Sequence, residues 1–189
     1  MLDDDPTISP DEMDHMKKML TFAIVGGGPT GVEFAAELTD FITKDAMKHY
    51  PHLKGIPEVH IISGDLLPMM DQSIQKYAQR TLEKTAGVKF HLGAQVCEVG
   101  KDFVKIKDGP TIPCGIVVWC AGVQAIPFAR NVALPKAANG VQILTEQNLK
   151  VKDLPNVFAI GDCATIDGNR LPQTAQVAKQ QAKYAFCFF

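Results

Sequence analysis

The segment Gly26-Gly27-Gly28-Pro29-Thr30-Gly31 leaves the backbone around it few options. Glycine inside a helix or strand costs roughly 0.5–1 kcal/mol relative to alanine, so three in a row mark a turn. Pro29 fixes φ and gives up its N–H, which suits the first position of a helix. Upstream, Phe22-Ala23-Ile24-Val25 is a short apolar run of the kind a strand buried on both faces shows. Downstream, Gly31 through Lys48 reads as a helix with Val32, Phe34, Ala35, Leu38, Phe41 and Ile42 largely inward. Glycines at 26, 28 and 31 therefore satisfy G-x-G-x-x-G between a strand and a helix. In such a turn the first glycine makes the bend, the second lets the backbone approach a pyrophosphate, and the third lets helix and strand pack closely. The helix N-terminus offers unpaired N–H groups and partial positive charge to the phosphates. Gly26, Gly27, Gly28, Pro29, Thr30 and Gly31 are thus candidate dinucleotide-binding residues.

The flanking pattern extends this unit. Residues 1–8 read as an acidic lead. A helix then follows, with Ser9 as its cap, Pro10 at its first position and Glu12 where a capping box places its acid. Met13, Met16, Met19 and Leu20 recur on one face of it. Val59-His60-Ile61-Ile62 is a second strand, Ser73 to Thr85 a second helix, and Val88-Lys89-Phe90-His91-Leu92 a third strand. The order is βαβαβ, a mononucleotide-binding half. Gln95–Val99, Phe103–Lys107 and a piece near Ile112 alternate as small antiparallel strands around a turn at Asp108-Gly109-Pro110. Ile116-Val117-Val118-Trp119 is another buried strand, followed by Cys120-Ala121-Gly122. Beyond Ile126 the chain reads as loop, then a strand Val157–Ile160 ending in Gly161-Asp162, then an Ala- and Gln-rich helix over 173–186. The fold class is α/β: a Rossmann-like nicotinamide-dinucleotide domain with a β-meander, followed by part of a second dinucleotide domain. The expected division is a lead and helix over 1–20, the first domain over 21–125, and the second part over 126–189.

Composition narrows the function. With 46% hydrophobic and 21% charged residues in 189, a packed core is expected. A net charge of −2 gives no general grip on nucleic acid. No apolar run reaches the ~20 residues of a spanning helix. The acidic start shows neither a cleavable signal nor an Arg-rich transit peptide. The five cysteines are irregularly spaced without a C-x-x-C, so they read as scattered thiols, with no metal site expected.

Several residues carry chemistry in more than one reading. The second strand ends at Ser63-Gly64-Asp65. An acid there would hold a ribose 2′-hydroxyl, a role open to Asp65, which reads equally as a turn aspartate. No Arg or Lys lies between Glu58 and Gln75 to meet a 2′-phosphate, so NADH is favoured, with NADPH use left open. Glu33 and Glu37 share a helix face, and by spacing alone they read as acids stabilising a helix start. Asp162 reads as a turn residue or as a carboxylate accepting hydrogen bonds from ribose or ribitol hydroxyls. Gln176 and Gln180 share a face and suit a carbonyl ligand such as a quinone, although by spacing alone they read as a solvated helix face.

Four runs together resemble one family: Gly26 through Leu38, Val117-Val118-Trp119-Cys120-Ala121-Gly122, Asn156 through Ala164, and Ala175-Gln176-Val177-Ala178-Lys179-Gln180-Gln181. They are similar to type II (alternative) NADH:quinone oxidoreductases, within the two-dinucleotide flavoproteins. The resemblance covers nearly the whole chain from about residue 10. It implies an enzyme in which NADH delivers hydride to FAD and the electrons pass to quinone without proton pumping. It matches Gly26, Gly28 and Gly31 to the NADH pyrophosphate loop and Glu33 to the nicotinamide–flavin contact, while Ser63, Asp65, Ala121 and Gly122 remain nucleotide-binding candidates by their places after the strands. It assigns Gly161 and Asp162 to FAD, and Gln176 and Gln180 to quinone. It also implies a homodimer peripheral to the mitochondrial inner membrane, or to a bacterial plasma membrane, held there by regions outside this chain.

Two features depart from the pattern. The family ends its second strand in Glu, where this chain has Ser63. The family also carries a separate FAD-binding half with its own glycine loop and a C-terminal anchor, whereas this chain has one glycine loop. A partial chain that holds FAD poorly is therefore expected. The alternatives are a nicotinamide-nucleotide module without turnover, or another two-dinucleotide flavoprotein such as a sulfide:quinone reductase, for which Cys163 lacks an evident partner. The apolar Tyr184–Phe189 end is expected to promote self-association.

Overall fold

The structure, a computed structural model, describes residues 9–187, which form two compact units that divide between Gly122 and Val123. The acidic lead, 1–8, lies outside the described residues.

In the first unit the capping box closes as its sequence demands. Ser9 Oγ accepts from the Glu12 N–H at 3.3 Å, and the Glu12 carboxylate accepts from the Ser9 N–H at 2.9 Å, starting α1, Pro10–Met19. Met13 is buried from this helix, whereas Met19 is 50% exposed, so the expected apolar face is narrower than its spacing implied. β1 (Thr21–Val25) leads through the glycine turn into α2 (Pro29–Asp40). The helix then widens into a π-helical turn, Phe41–Ala46, ending in a short α3, Met47–His49. This corrects the expected uninterrupted helix. Ala35 is buried, but Phe34 and Phe41 are exposed, because the added residue per π turn rotates Phe41 off the inward stripe.

β2 (Glu58–Ser63), α4 (Gln72–Ala86) and β3 (Lys89–Leu92) follow. The antiparallel meander is β4 (Val96–Val99), β5 (Phe103–Ile106) and β6 (Thr111–Pro113), and β7 (Ile116–Trp119) returns to the parallel sheet. The four-stranded sheet has the order β3-β2-β1-β7, with every pairing parallel. The order places β1 between β2 and β7, with crossovers on either side.

The period-2 alternation of β1 and β2 sorts the core into two layers. Ile24, Val59 and Ile61 join Ala35, Leu82 and Val88 on the helix side. Ala23, Val25 and Ile62 join Val104, Ile106, Ile112 and Cys114 on the meander side. Lys18 pairs with Asp102, tying α1 to the meander.

The second unit departs further from expectation. Residues 126–156 contain a short α5 (Pro127–Asn131) and β8 (Ile143–Thr145) where loop was expected. The expected strand Val157–Ile160 reduces to one antiparallel bridge, Phe158 to Lys150, because its backbone partners are split between Leu149–Val151 and a turn back to Leu154. β8 pairs in parallel with β9 (Ala164–Ile166) instead. α6 (Ala175–Phe186) starts at Thr174, whose hydroxyl accepts from the Val177 N–H at 3.3 Å. Ile143, Val151, Ala159 and Ala164 form this unit's core. Of the apolar C-terminal end, Tyr184 and Phe186 are exposed and Ala185 is buried, while Phe188 and Phe189 lie outside the described residues.

Candidate functional sites

In the first unit, three loops converge at the carboxyl edge of the parallel sheet, where open α/β sheets bind ligands. Each glycine of the turn is required for a different reason. Gly26 has φ +121°, and a Cβ there would lie 2.8 Å from the Cys120 carbonyl carbon at the end of β7. A Cβ on Gly27 would lie 2.4 Å from the Asp65 carbonyl oxygen. A Cβ on Gly31 would lie 2.0 Å from the Gly26 carbonyl oxygen, so this glycine sets how closely α2 approaches the turn. A Cβ on Gly28 would meet nothing within 4 Å. Its requirement is not internal packing, and the open space beside it lies where a pyrophosphate would approach. Gly28 caps α2 without a side-chain hydrogen bond, and Pro29 takes the first helical position. The N–H groups of Thr30 and Gly31 follow in the first turn.

Hydrogen bonds fix the loop after β2 beneath this turn. The Gly26 N–H donates to Ile62 O at 2.9 Å, and the Leu67 N–H donates to Gly27 O at 2.7 Å. The Ser63 hydroxyl donates to the Asp65 carbonyl at 2.8 Å. Ser63 therefore shapes the bend and presents Asp65, whose side chain is exposed. On the other flank the Cys120 N–H donates to Val25 O at 2.7 Å, and the Trp119 indole N–H donates to Ala121 O at 2.7 Å. Gly122 follows with φ +76°.

Glu33 is exposed on α2, and no acid occupies the first turn of that helix. The reading of Glu33 as a helix-start stabiliser is thereby corrected, since that effect decays within the first turn. Glu37 lies one turn further along, also exposed.

In the second unit, Asp162 sits in a 3₁₀ turn, Gly161–Cys163, that precedes β9. The expected placement at the end of a strand is corrected: the carboxylate stands at the entry to one. The turn is held by three glutamines that sequence reasoning did not assign. Gln181 Oε1 accepts from the Gly161 N–H at 2.7 Å, while Gln173 and Gln142 donate to Asp162 O at 3.0 and 3.2 Å. Only Gln181 was foreshadowed, by its place in the Gln180-Gln181 pair; nothing in the local pattern marks buried Gln142. With its backbone oxygen engaged, Asp162 lines a cleft of about 650 Å³ together with Gln124, Asn139, Arg170 and Gln173. Its exposed carboxylate is a fitting acceptor for the hydroxyls of a ribityl or ribose chain.

Gln176 and Gln180 are both exposed on α6. Gln180 lines an open groove with Leu149, Leu171 and Tyr184; Gln176 lies one turn nearer the helix start. Among the described cysteines all are free, and no cluster of three or more His, Cys, Asp or Glu residues suits a metal ion.

Comparisons with known proteins agree with this geometry. The sequence profile of the pyridine nucleotide-disulphide oxidoreductase family matches residues 2–182. A probable NADH dehydrogenase of Dictyostelium discoideum is 37% identical over 183 residues, covering 95% of this chain and 39% of that protein. An internal alternative NAD(P)H-ubiquinone oxidoreductase A1, mitochondrial, of Arabidopsis thaliana is 39% identical, covering 97% of this chain and 36% of its own length. The chain thus spans well under half the length of these relatives. NDH2 from Plasmodium falciparum, solved in complex with NADH, superposes with a TM-score of 0.75 at 31% identity, covering 85% of this chain and 34% of that one. Profile, relatives and fold point the same way, and this chain belongs to the pyridine nucleotide-disulphide oxidoreductase family.

Proposed function

We propose that this chain is the NAD(P)H-binding domain, with part of the FAD-binding domain, of a type II NADH:quinone oxidoreductase. The observation that carries the reading is the open space at Gly28, within a turn whose other glycines are packed against the sheet. The similarity to alternative NAD(P)H-ubiquinone oxidoreductases supports it. In this reading residues 21–125 bind the nicotinamide nucleotide and residues 126–189 contribute to flavin and quinone binding. When bound, FAD would supply the chemistry of hydride acceptance from NADH and electron delivery to a quinone.

The chain's own residues bind and orient. The N-terminus of α2 receives the pyrophosphate over Gly28, with the Thr30 and Gly31 N–H groups as donors. Asp65, held out by the Ser63 hydroxyl, accepts from the ribose 2′-hydroxyl and repels a 2′-phosphate. Ala121 and Gly122 border the same edge. Glu33 stands close to the nicotinamide–flavin contact. Gly161 and Asp162 accept the flavin's sugar chain, and Gln176 and Gln180 face the quinone. The whole protein works at the mitochondrial inner membrane as a peripheral homodimer. No helix among the described residues is long and apolar enough to cross a membrane.

Calorimetric titration of the chain with NADH and with NADPH tests the reading. NADH binding much tighter than NADPH is expected, with Asp65→Asn narrowing the difference. No binding of either nucleotide by folded protein would overturn the assignment. NADH binding without flavin binding or quinone reduction would support a nicotinamide-nucleotide module without turnover.

A further inference from the structure

A cavity of about 850 Å³ opens in the first unit, away from the glycine turn. Val59, at the start of β2, contributes to it, whereas the glycine turn meets β2 at its other end, Ser63. Its volume lies in the ~300–1,000 Å³ range of small-molecule sites. The floor is apolar, made by Ile42, Met47, Val59 and Ala86. Val59 and Ala86 belong to the helix-side core, so the cavity reaches down to that core. The wall formed by Ile42, Thr43 and Lys44 lies in the π-helical turn, a feature frequent at functional sites.

The rim is cationic. Lys44 pairs with Asp40 at 2.6 Å and Lys48 with Asp45 at 3.1 Å, so both are already compensated. Lys54 makes no ion pair among the described residues and also lines the cavity. One uncompensated positive charge thus stands at the mouth of an apolar cavity. From this complementarity we propose that the cavity binds the single chain of a long-chain carboxylate, with its head group at Lys54. The inference is independent of the redox assignment.

The test is a calorimetric titration of the chain with laurate below its micelle concentration, beside dodecyltrimethylammonium. Saturable one-to-one laurate binding is expected, with the cationic amphiphile roughly tenfold weaker. Lys54→Glu lies at an exposed position and should weaken laurate about fivefold while helping the cation. Met47→Glu should put a carboxylate on the apolar lining and weaken laurate binding about tenfold, with circular dichroism unchanged. Absence of saturable laurate binding would overturn the proposal. So would a head-group preference that Lys54→Glu leaves in place, or full binding by a folded Met47→Glu protein; if that variant misfolds, the Lys54→Glu arm decides alone.

Discussion

Gly28 and Gly31 sit three residues apart in one motif and answer to different physics. Gly31 has no room for a methyl group, because its Cβ would stand 2.0 Å from a backbone oxygen. Gly31→Ala is therefore expected to cost about 1–3 kcal/mol from overpacking. The gain in helix propensity, about 1 kcal/mol, does not offset this. Gly28 has open space and φ −73°, which alanine adopts readily. Gly28→Ala should leave the melting temperature nearly unchanged while weakening NADH binding. Thermal melts and nucleotide titrations of the two variants separate the roles; equal stability losses would contradict them.

The histidine pair is a second residue-scale case. His60 is buried, with Nε2 3.1 Å from a Glu58 carboxylate oxygen and Nδ1 3.0 Å from His91 Nε2. With both rings neutral, His60 Nε2–H donates to Glu58 and His91 Nε2–H donates to His60 Nδ1. Protonating His60 would keep that contact only with His91 moved to its Nδ1–H tautomer. Desolvation lowers the His60 pKa, outweighing the attraction of Glu58. Desolvation also lowers that of His91, with the His60 and Lys89 charges adding to it. Burial works to raise the Glu58 carboxyl, but hydrogen bonds and charge from Lys89 and His60 prevail and hold it below its usual value. Because both imidazole values are depressed in the folded state, the unfolded chain binds more protons. Their contribution is full above about pH 6.5 and is lost as pH falls through the folded values. The melting temperature should drop from pH 7 to pH 5, and His60→Gln should flatten that slope. A slope unchanged by the substitution would place the pH dependence elsewhere.

At the scale of elements, the Gly161–Cys163 turn depends on α6. Gln181 supplies the acceptor for the Gly161 N–H at 2.7 Å. Gln181→Leu keeps similar bulk but leaves that donor unpaired, which should cost about 1–3 kcal/mol. Hydrogen exchange at Gly161 should quicken in the variant; unaltered protection would show that the contact does not hold the turn. Elements of the first unit were legible in sequence because each carried a periodic pattern and a chemical stop. The capping box, the glycine turn and Gly87 after α4, at φ +63°, mark ends that local chemistry enforces. The π-helical turn was not legible, because its residues have no pattern distinct from the α-helix before it.

Across the whole molecule the two units hold unequal cores. The first has clusters of seven and six buried residues, and the second has one of four. Local stability follows buried apolar contacts. Amides of β1 and β2 should therefore exchange more slowly than those of β8 and β9, measurable by hydrogen–deuterium exchange. Equal protection in both units would contradict this.

The sequence by itself determined the βαβαβ order, the meander and the glycine turn, since period, turn residues and caps are local properties. It also marked Asp162 and the α6 glutamines as candidates. Tertiary structure alone decided which glycine is free for a ligand. Gly26, Gly27 and Gly31 are occupied by atoms from Cys120, Asp65 and the turn itself, and the two most distant partners lie 38 and 94 residues along the chain. It also decided that Val157–Ile160 would not become a strand and that Gln142 would support Asp162. Pairing and support of this kind depend on which backbone edges and amides the rest of the chain brings near, and no window of sequence contains that information.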